Sequence, residues 1–226
     1  MKTISVLCML LLSTGLLAQH NLKPSAEVSG EGVVNVVPDE VTVSVRVENE
    51  GKNARELKQQ NDRIINNVLA FIKSQGIPDK NVRTEYIRLN KNYDYNTKTY
   101  SYAANQSITV KLTDLSKYEN LMNGLMESGI NRIDGIEFSS SKRAELESEA
   151  RKKAVMQAKM KAEEYASALN QTIGKAMFIR EDNPPAMPQP MYKTAMMMDS
   201  ESSGGQSMAP GEMEIKVIVY VTFELN

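Results

Sequence analysis

Alanine returns every fourth residue at Ala150, Ala154, Ala158, Ala162 and Ala166, within a helical pattern running from Arg143 to Asn170. A four-residue step overshoots one α-helical turn by about 40°, so the methyl groups form a slowly drifting stripe along one side of a long helix. Leu146 and Leu169 extend that stripe at its ends. The opposite side carries Arg151, Lys152, Lys159, Lys161, Glu163 and Glu164. Glu147 precedes Arg151, and Glu149 precedes Lys153, in the favourable acid-before-base i,i+4 order. Methyl groups bury little area, so the stripe serves close approach more than hydrophobic content. It has no Leu/Ile heptads to make a coiled coil, and the flanking sequence is strand-like on both sides. The expected partner is therefore a β-sheet of the same chain. Ser139 to Ser141 offer an N-cap, and Gly174 offers a stop.

Other elements follow from their periods. Val28 to Asn49 reads as a long or broken strand. Its second half places Val41, Val43, Val45 and Val47 on one face and Thr42, Ser44, Arg46 and Glu48 on the other, with Pro38-Asp39 as the interruption. Asn53 caps a helix whose apolar face is Leu57, Ile64, Ile65, Val68 and Ile72, ended by Gly76 and Pro78. A strand from Val82 to Asn92 leads into a hairpin tip over 93–102, and the return strand carries Ile108, Val110 and Leu112. Asp114 caps a second helix with Leu115, Tyr118, Leu121, Met122, Leu125 and Met126 inward and Gly129 as its stop. Ile130 to Ser139 is another strand. Ala176 to Arg180 is a later one, and Ile215, Val217, Val219, Val221, Phe223 and Leu225 share one face of the last. The expected architecture is α+β: a ferredoxin-like βαββαβ order followed by a long α-helix and two further strands packed on the sheet.

The chain of 226 residues opens Met1-Lys2, runs apolar from Ile4 to Leu17, and reaches Ala18-Gln19. A positive start, a run too short to span a bilayer and a small residue before the cut describe a signal peptide over 1–18. The mature chain then begins Gln19-His20 and forms one domain over 19–226. The one cysteine, Cys8, leaves with the leader, so the mature chain has no disulfide, no thiol chemistry and no Cys-ligated metal. No second apolar run reaches spanning length, so no transmembrane span is expected in the mature chain. The full chain holds 27 basic and 28 acidic residues, a balance that gives no electrostatic argument for nucleic acid. His20, the only histidine, sits at the mature terminus, which excludes a Ser/His/Asp triad. Ser29-Gly30-Glu31-Gly32 is too short for a dinucleotide fingerprint, and no helix follows it at once. A glycan-acting enzyme would need two carboxylates facing each other across a cleft.

Two stretches carry the remaining chemistry. Residues 183–211 are rich in proline, serine and methionine and read as a loop or arm. Met187, Met191, Met196, Met197, Met198, Met208 and the nearby Met213 offer thioethers that suit Cu(I), act as oxidant traps, or pack on a neighbouring subunit. Tyr86, Tyr93, Tyr95, Tyr100 and Tyr102 cluster around the hairpin tip. Their alternation suits cross-strand pairs and a contact surface better than base or sugar stacking.

Val28-Ser29-Gly30-Glu31-Gly32, Pro38-Asp39-Glu40, Gly76-Ile77 leading to Val82-Arg83-Thr84, the Ala154/Ala158/Lys161-Ala162 helix and Pro210-Gly211-Glu212 occur in the order seen in the SIMPL domain (DUF541) family. The resemblance covers essentially the whole mature chain and includes the Met/Pro-rich segment. It implies a secreted or periplasmic bacterial protein, related to a eukaryotic branch that binds a Pelle-like kinase. It also implies links to oxidative-stress defence and immunogenic envelope proteins, and assembly into large homo-oligomers. The family has no agreed catalytic residues, so none is carried over, and no cofactor or metal site is assigned. The expectation is a non-catalytic periplasmic protein, a homo-oligomeric scaffold or binding protein with an envelope partner. The competing expectation is a metal- or oxidant-handling protein acting through the methionine arm.

Overall fold

The computed structural model describes residues 23–182 and 211–226. The expected signal peptide, Cys8, His20 and the methionines from Met187 to Met208 lie outside the described residues. The chain is mixed α+β, with β1 (Ser25–Val36), β2 (Glu40–Gly51), α1 (Ala54–Ser74), β3 (Val82–Thr84), β4 (Arg88–Asp94), β5 (Thr99–Leu112), α2 (Tyr118–Glu127), β6 (Arg132–Ser139), α3 (Arg143–Ala168), β7 (Ile173–Asp182) and β8 (Met213–Leu225). The described residues divide into two compact units: 33–150 with 211–216, and 23–32 with 151–182 and 217–226.

In the larger unit a five-stranded sheet has the order β3-β5-β2-β6, with β4 also paired to β5, and every pairing is antiparallel. Val41, Val43, Val45 and Val47 alternate into its core with Ile108, Val110 and Leu112. Against them pack Ile65, Val68 and Ile72 of α1 and Leu121, Met122 and Leu125 of α2. This is the face the valine alternation anticipates. Asn53 caps α1 by accepting the Arg55 and Glu56 amides. Gly76 and Gly129 take positive φ at the two helix exits, where a left-handed residue is needed. Met126, expected inward, is exposed on the last turn of α2. The expected strand from Val82 to Asn92 is broken, because Glu85 to Ile87 leave the ladder between β3 and β4.

Pro38-Asp39 separates β1 from β2, and Asp39 has a structural task. Its carboxylate accepts the Ser141 amide at 2.7 Å and the Ser141 hydroxyl at 2.5 Å, which closes the turn before α3. These bonds, the hydroxyl's first, hold the Asp39 carboxyl below the ordinary carboxylate range. A depressed pKa stabilises the fold above the unfolded value of about 3.9 and ceases to do so as pH falls through the folded value. Asp39→Ala is therefore expected to cost about 1 kcal/mol at neutral pH. The difference from wild type should shrink in urea titrations carried out below about pH 4.

In the smaller unit β1, β8 and β7 form a three-stranded sheet in the order β1-β8-β7. The last two strands thus hydrogen-bond with β1 in a sheet of their own and not with the five-stranded sheet. All five alanines of the stripe are buried, with 0–1% exposure. A Cβ built on Gly30 of β1 would stand 1.9 Å from the Ala154 carbonyl oxygen and 2.6 Å from the Ala158 amide nitrogen. Strand and helix therefore meet backbone to backbone, as the small-residue stripe requires. Lys161 Nζ donates to the Ser29 carbonyl at 2.9 Å, and the Glu31 amide donates to Gln157 Oε1 at 2.6 Å. Both backbone groups lie on one side of the edge strand, so the helix side chains cap an edge that would otherwise be free to pair. The Ser-Gly-Glu-Gly stretch is a packing motif here. Arg151 binds Glu181 through two bonds, 2.6 and 3.0 Å, fixing the far end of β7 to the same helix.

The helix stop differs from the expected one. Asn170 takes φ 57°, the Gln171 amide reaches the Ala166 carbonyl at 2.8 Å and the Asn170 amide reaches Ser167 at 3.0 Å. This is a Schellman closure with asparagine in the left-handed position, while Gly174 lies inside β7. Leu169, expected to extend the stripe, falls after the last helical residue and is 63% exposed. Met213, grouped with the methionine arm, is the first residue of β8 and is 5% exposed.

Candidate functional site

The five-stranded sheet has one face on its helices, so its polar residues collect on the other. Ser44 and Arg46 of β2 lie beside Asn105, Ser107 and Thr109 of β5, because Ser44 pairs with Thr109 and Arg46 with Ser107. A bulge adds a carboxylate. The β2–β6 register shifts between Ser44 and Val45, so that both Ile133 and Ile136 keep the valine side, and Asp134 of the bulge reaches Arg46. Arg46 Nη2 is 2.8 Å from Asp134 Oδ2, and Arg46 Nη1 is 3.2 Å from Glu48 Oε1. Arg132 closes the ring, 3.1 Å from Glu48 and 3.2 Å from Asp134.

The rim comes from the break between β3 and β4. The Glu85 amide donates to the Ser107 carbonyl at 3.0 Å, and Gln106 Nε2 donates to the Glu85 carbonyl at 2.8 Å. Gln106 Oε1 in turn accepts from Asn61 Nδ2 at 2.7 Å, on the buried face of α1. A strand glutamine braced by a core asparagine thereby holds the Glu85 end of the break, and Tyr86 beside it has 95% of its surface exposed. The resulting cleft, of about 290 Å³, is lined by Ser44, Arg46, Glu85, Tyr86, Arg88, Asn105, Ser107, Thr109 and Asp134. A second depression of about 450 Å³ follows Arg83 to Arg88 and shares Glu85, Tyr86 and Arg88 with the first.

Two carboxylates line this cleft, as a glycan-acting enzyme would need. Asp134 is engaged by two arginines, and Glu85 lies loosely between Arg83 at 4.0 Å and Arg88 at 3.8 Å. Asp134 is thus committed to the ion-pair ring, and Glu85 stays on the loose rim of the cleft. Among the described residues no group of three or more His, Cys, Asp or Glu side chains is placed to hold a metal ion.

The tyrosines divide. Tyr93 of β4 stands directly opposite Tyr100 of β5, with ring centroids 4.8 Å apart, and Tyr95 meets Tyr93 edge-on at 5.1 Å. Lys91 lies 4.0 Å over the Tyr100 ring. Asp94 shapes the tip by accepting the Asn96 amide at 2.8 Å, a bond that also lowers its pKa. Strand alternation puts Leu89, Lys91, Tyr93, Tyr100 and Tyr102 on the side of the core valines, along the hairpin. Tyr93, Tyr95 and Tyr100 remain exposed there, whereas Tyr102 is half-buried. Tyr86 belongs to the polar cleft instead. The alternation of Ser44/Arg46 and Asn105/Ser107/Thr109 was the available sequence signal for that cleft.

Residues 26–223 match the profile of SIMPL, a protein family of unknown function (DUF541). The 26 kDa periplasmic immunogenic protein of Brucella melitensis is 28% identical over 209 residues, covering 88% of this chain and 84% of the relative. The uncharacterized protein YggE of Escherichia coli K12 is 25% identical over 219 residues, covering 94% and 89%. Its Edwardsiella ictaluri namesake is 25% identical over 210 residues, covering 90% and 87%.

Proposed function

The chain belongs to the SIMPL (DUF541) family, and from that premise we propose that it is a non-catalytic periplasmic protein that assembles with copies of itself and binds an envelope partner. Its role is in envelope or oxidative-stress defence. The ferredoxin-like reading of the segment from β2 to β6 is part of this proposal, supported by its antiparallel β3-β5-β2-β6 order and the helices on one face. Export is supported by the name of the Brucella relative. No helix among the described residues is long and apolar enough to cross a membrane.

The observation that carries assembly is the exposed ring cluster of Tyr93, Tyr95 and Tyr100 on a hairpin beyond the helix-covered core. Each ring presents a large rigid apolar area with a hydroxyl at its end, the chemistry favoured at contact surfaces. The cluster lies on one continuous face, so two copies can bury it against itself in a two-fold contact. The metal-handling alternative loses one ligand, since Met213 is buried in β8.

Light scattering on the mature protein, residues 19–226, at micromolar concentration should give a mass above the monomer. Replacing all three tyrosines by serine should weaken association by more than about a thousandfold, since buried aromatic anchors contribute about 2 kcal/mol or more each. A wild-type monomer would end the assembly reading.

A further inference from the structure

The charges lining the polar cleft are matched inside the protein. Arg46 and Asp134 bind one another at 2.8 Å, and Arg88 stands against Glu85. A free anion would meet two carboxylates, and a free cation two guanidinium groups. What the cleft leaves unsatisfied is neutral: among the described residues the side chains of Asn105 and Ser107 make no protein hydrogen bond, and Tyr86 offers an almost fully exposed ring. An amide supplies two donors and an acceptor, and a hydroxyl supplies one donor and two lone pairs, so together they match vicinal hydroxyl groups. Tyr86 supplies a flat apolar face with a polar end.

The volume of about 290 Å³ lies at the lower end of small-molecule sites. The adjoining depression of about 450 Å³ shares Tyr86, so the ring borders two consecutive places for a ligand. That suits a chain of small polar rings better than one compact molecule.

We propose that this cleft binds a neutral oligosaccharide, with one sugar ring stacked on Tyr86 and its hydroxyls bonded to Asn105 and Ser107. The paired Arg46 and Asp134 form a fixed polar floor. Gln106, held by Asn61, is a positioning residue, because it keeps the Glu85–Tyr86 turn against β5. The proposal goes beyond assembly through the hairpin and does not depend on it.

The test is titration of the full chain with chitotetraose and with maltotetraose, followed by backbone NMR shifts and calorimetry. Glycylglycine serves as a zwitterionic probe and citrate as an anionic one. At least one sugar should bind with a dissociation constant of about a millimolar and shift resonances around Ser44, Asn105 and Ser107. Tyr86→Ala and Asn105→Ala should each weaken that binding by about tenfold or more, with the fold retained by circular dichroism, since Tyr86 is exposed and Asn105, though half-buried, makes no side-chain hydrogen bond among the described residues. Tyr95→Ala, at the hairpin tip, should leave it as it is. Absence of binding by both sugars overturns the proposal. So does sugar binding that survives both cleft variants, or tighter binding of glycylglycine or citrate in the cleft.

Discussion

Gly30→Ala is expected to lower the stability of this protein by about 3 kcal/mol or more, at the upper end of what overpacking does. The obstacle is backbone. The added methyl would stand 1.9 Å from the Ala154 carbonyl oxygen, 2.6 Å from the Ala158 nitrogen and 2.9 Å from the Ala158 Cβ. The carbonyl belongs to the helical hydrogen-bond ladder and the nitrogen to the next turn, so neither can rotate aside. Relief requires β1 and α3 to separate, which strains the Lys161–Ser29 and Gln157–Glu31 bonds on either side. At about 2 to 4 °C per kcal/mol for a chain of this size, the melting temperature should fall by roughly 10 °C by circular dichroism. Ala158→Gly added to Gly30→Ala should restore little, because the methyl it removes is the mildest of the three contacts. A loss under about 0.5 kcal/mol for Gly30→Ala alone would show that helix and strand are not in close contact, and full rescue by Ala158→Gly would show that they meet at the Ala158 methyl and not at the backbone.

That contact was half legible in the sequence. The alanine repeat gave the buried side of α3, and the strand-like flanks gave a sheet as its partner, but no local pattern says which strand. Ser-Gly-Glu-Gly carries a signal only once Ala154 and Ala158 are seen across from it. The same holds for the cleft. Outward polar residues on β2 and β5 follow from alternation, whereas Arg46 and Asp134 meet across 88 positions through a bulge that the Asp134-Gly135 pair hints at without placing. The break after β3 had no warning, since Tyr86 and Ile87 favour strands. At its start the Glu85 carbonyl is taken up by Gln106, which Asn61 holds from α1. Gly174 was the stronger stop signal by composition, yet Asn170 closes the helix two residues after its last helical residue, Ala168. An asparagine tolerates the left-handed region well enough to spare a glycine there.

Gly124→Ala should show the opposite kind of glycine constraint, one made by a side chain. Gly124 is buried in the middle of α2, where alanine would ordinarily stabilise a helix by about 0.8 to 1 kcal/mol. Here an added Cβ would meet the Phe71 ring of α1, 2.0 Å from Cζ, 2.2 Å from Cε2 and 2.6 Å from Cε1. All three are atoms of one ring, and Phe71 is only partly buried at the margin of the core. The ring can swing outward, so the net loss should be about 1 to 3 kcal/mol and smaller than at position 30. Removing the ring should reverse the sign. In a Phe71→Ala background, itself destabilised by about 1 to 3 kcal/mol because the ring is only partly buried, Gly124→Ala should stabilise by up to about 1 kcal/mol, since the space left by the ring accepts the methyl and only helix propensity remains. The four proteins of this double-mutant cycle, compared by urea denaturation, should give a coupling between the two sites of about 2 to 3 kcal/mol. A coupling near zero would mean that the glycine is required by the path of α2 itself and that α1 and α2 do not touch at this point. A loss at Gly124 as steep as that at Gly30 would mean that Phe71 is as fixed as backbone. The two glycines therefore separate close approach between main chains, which no second substitution repairs, from close approach of main chain to ring, which one does.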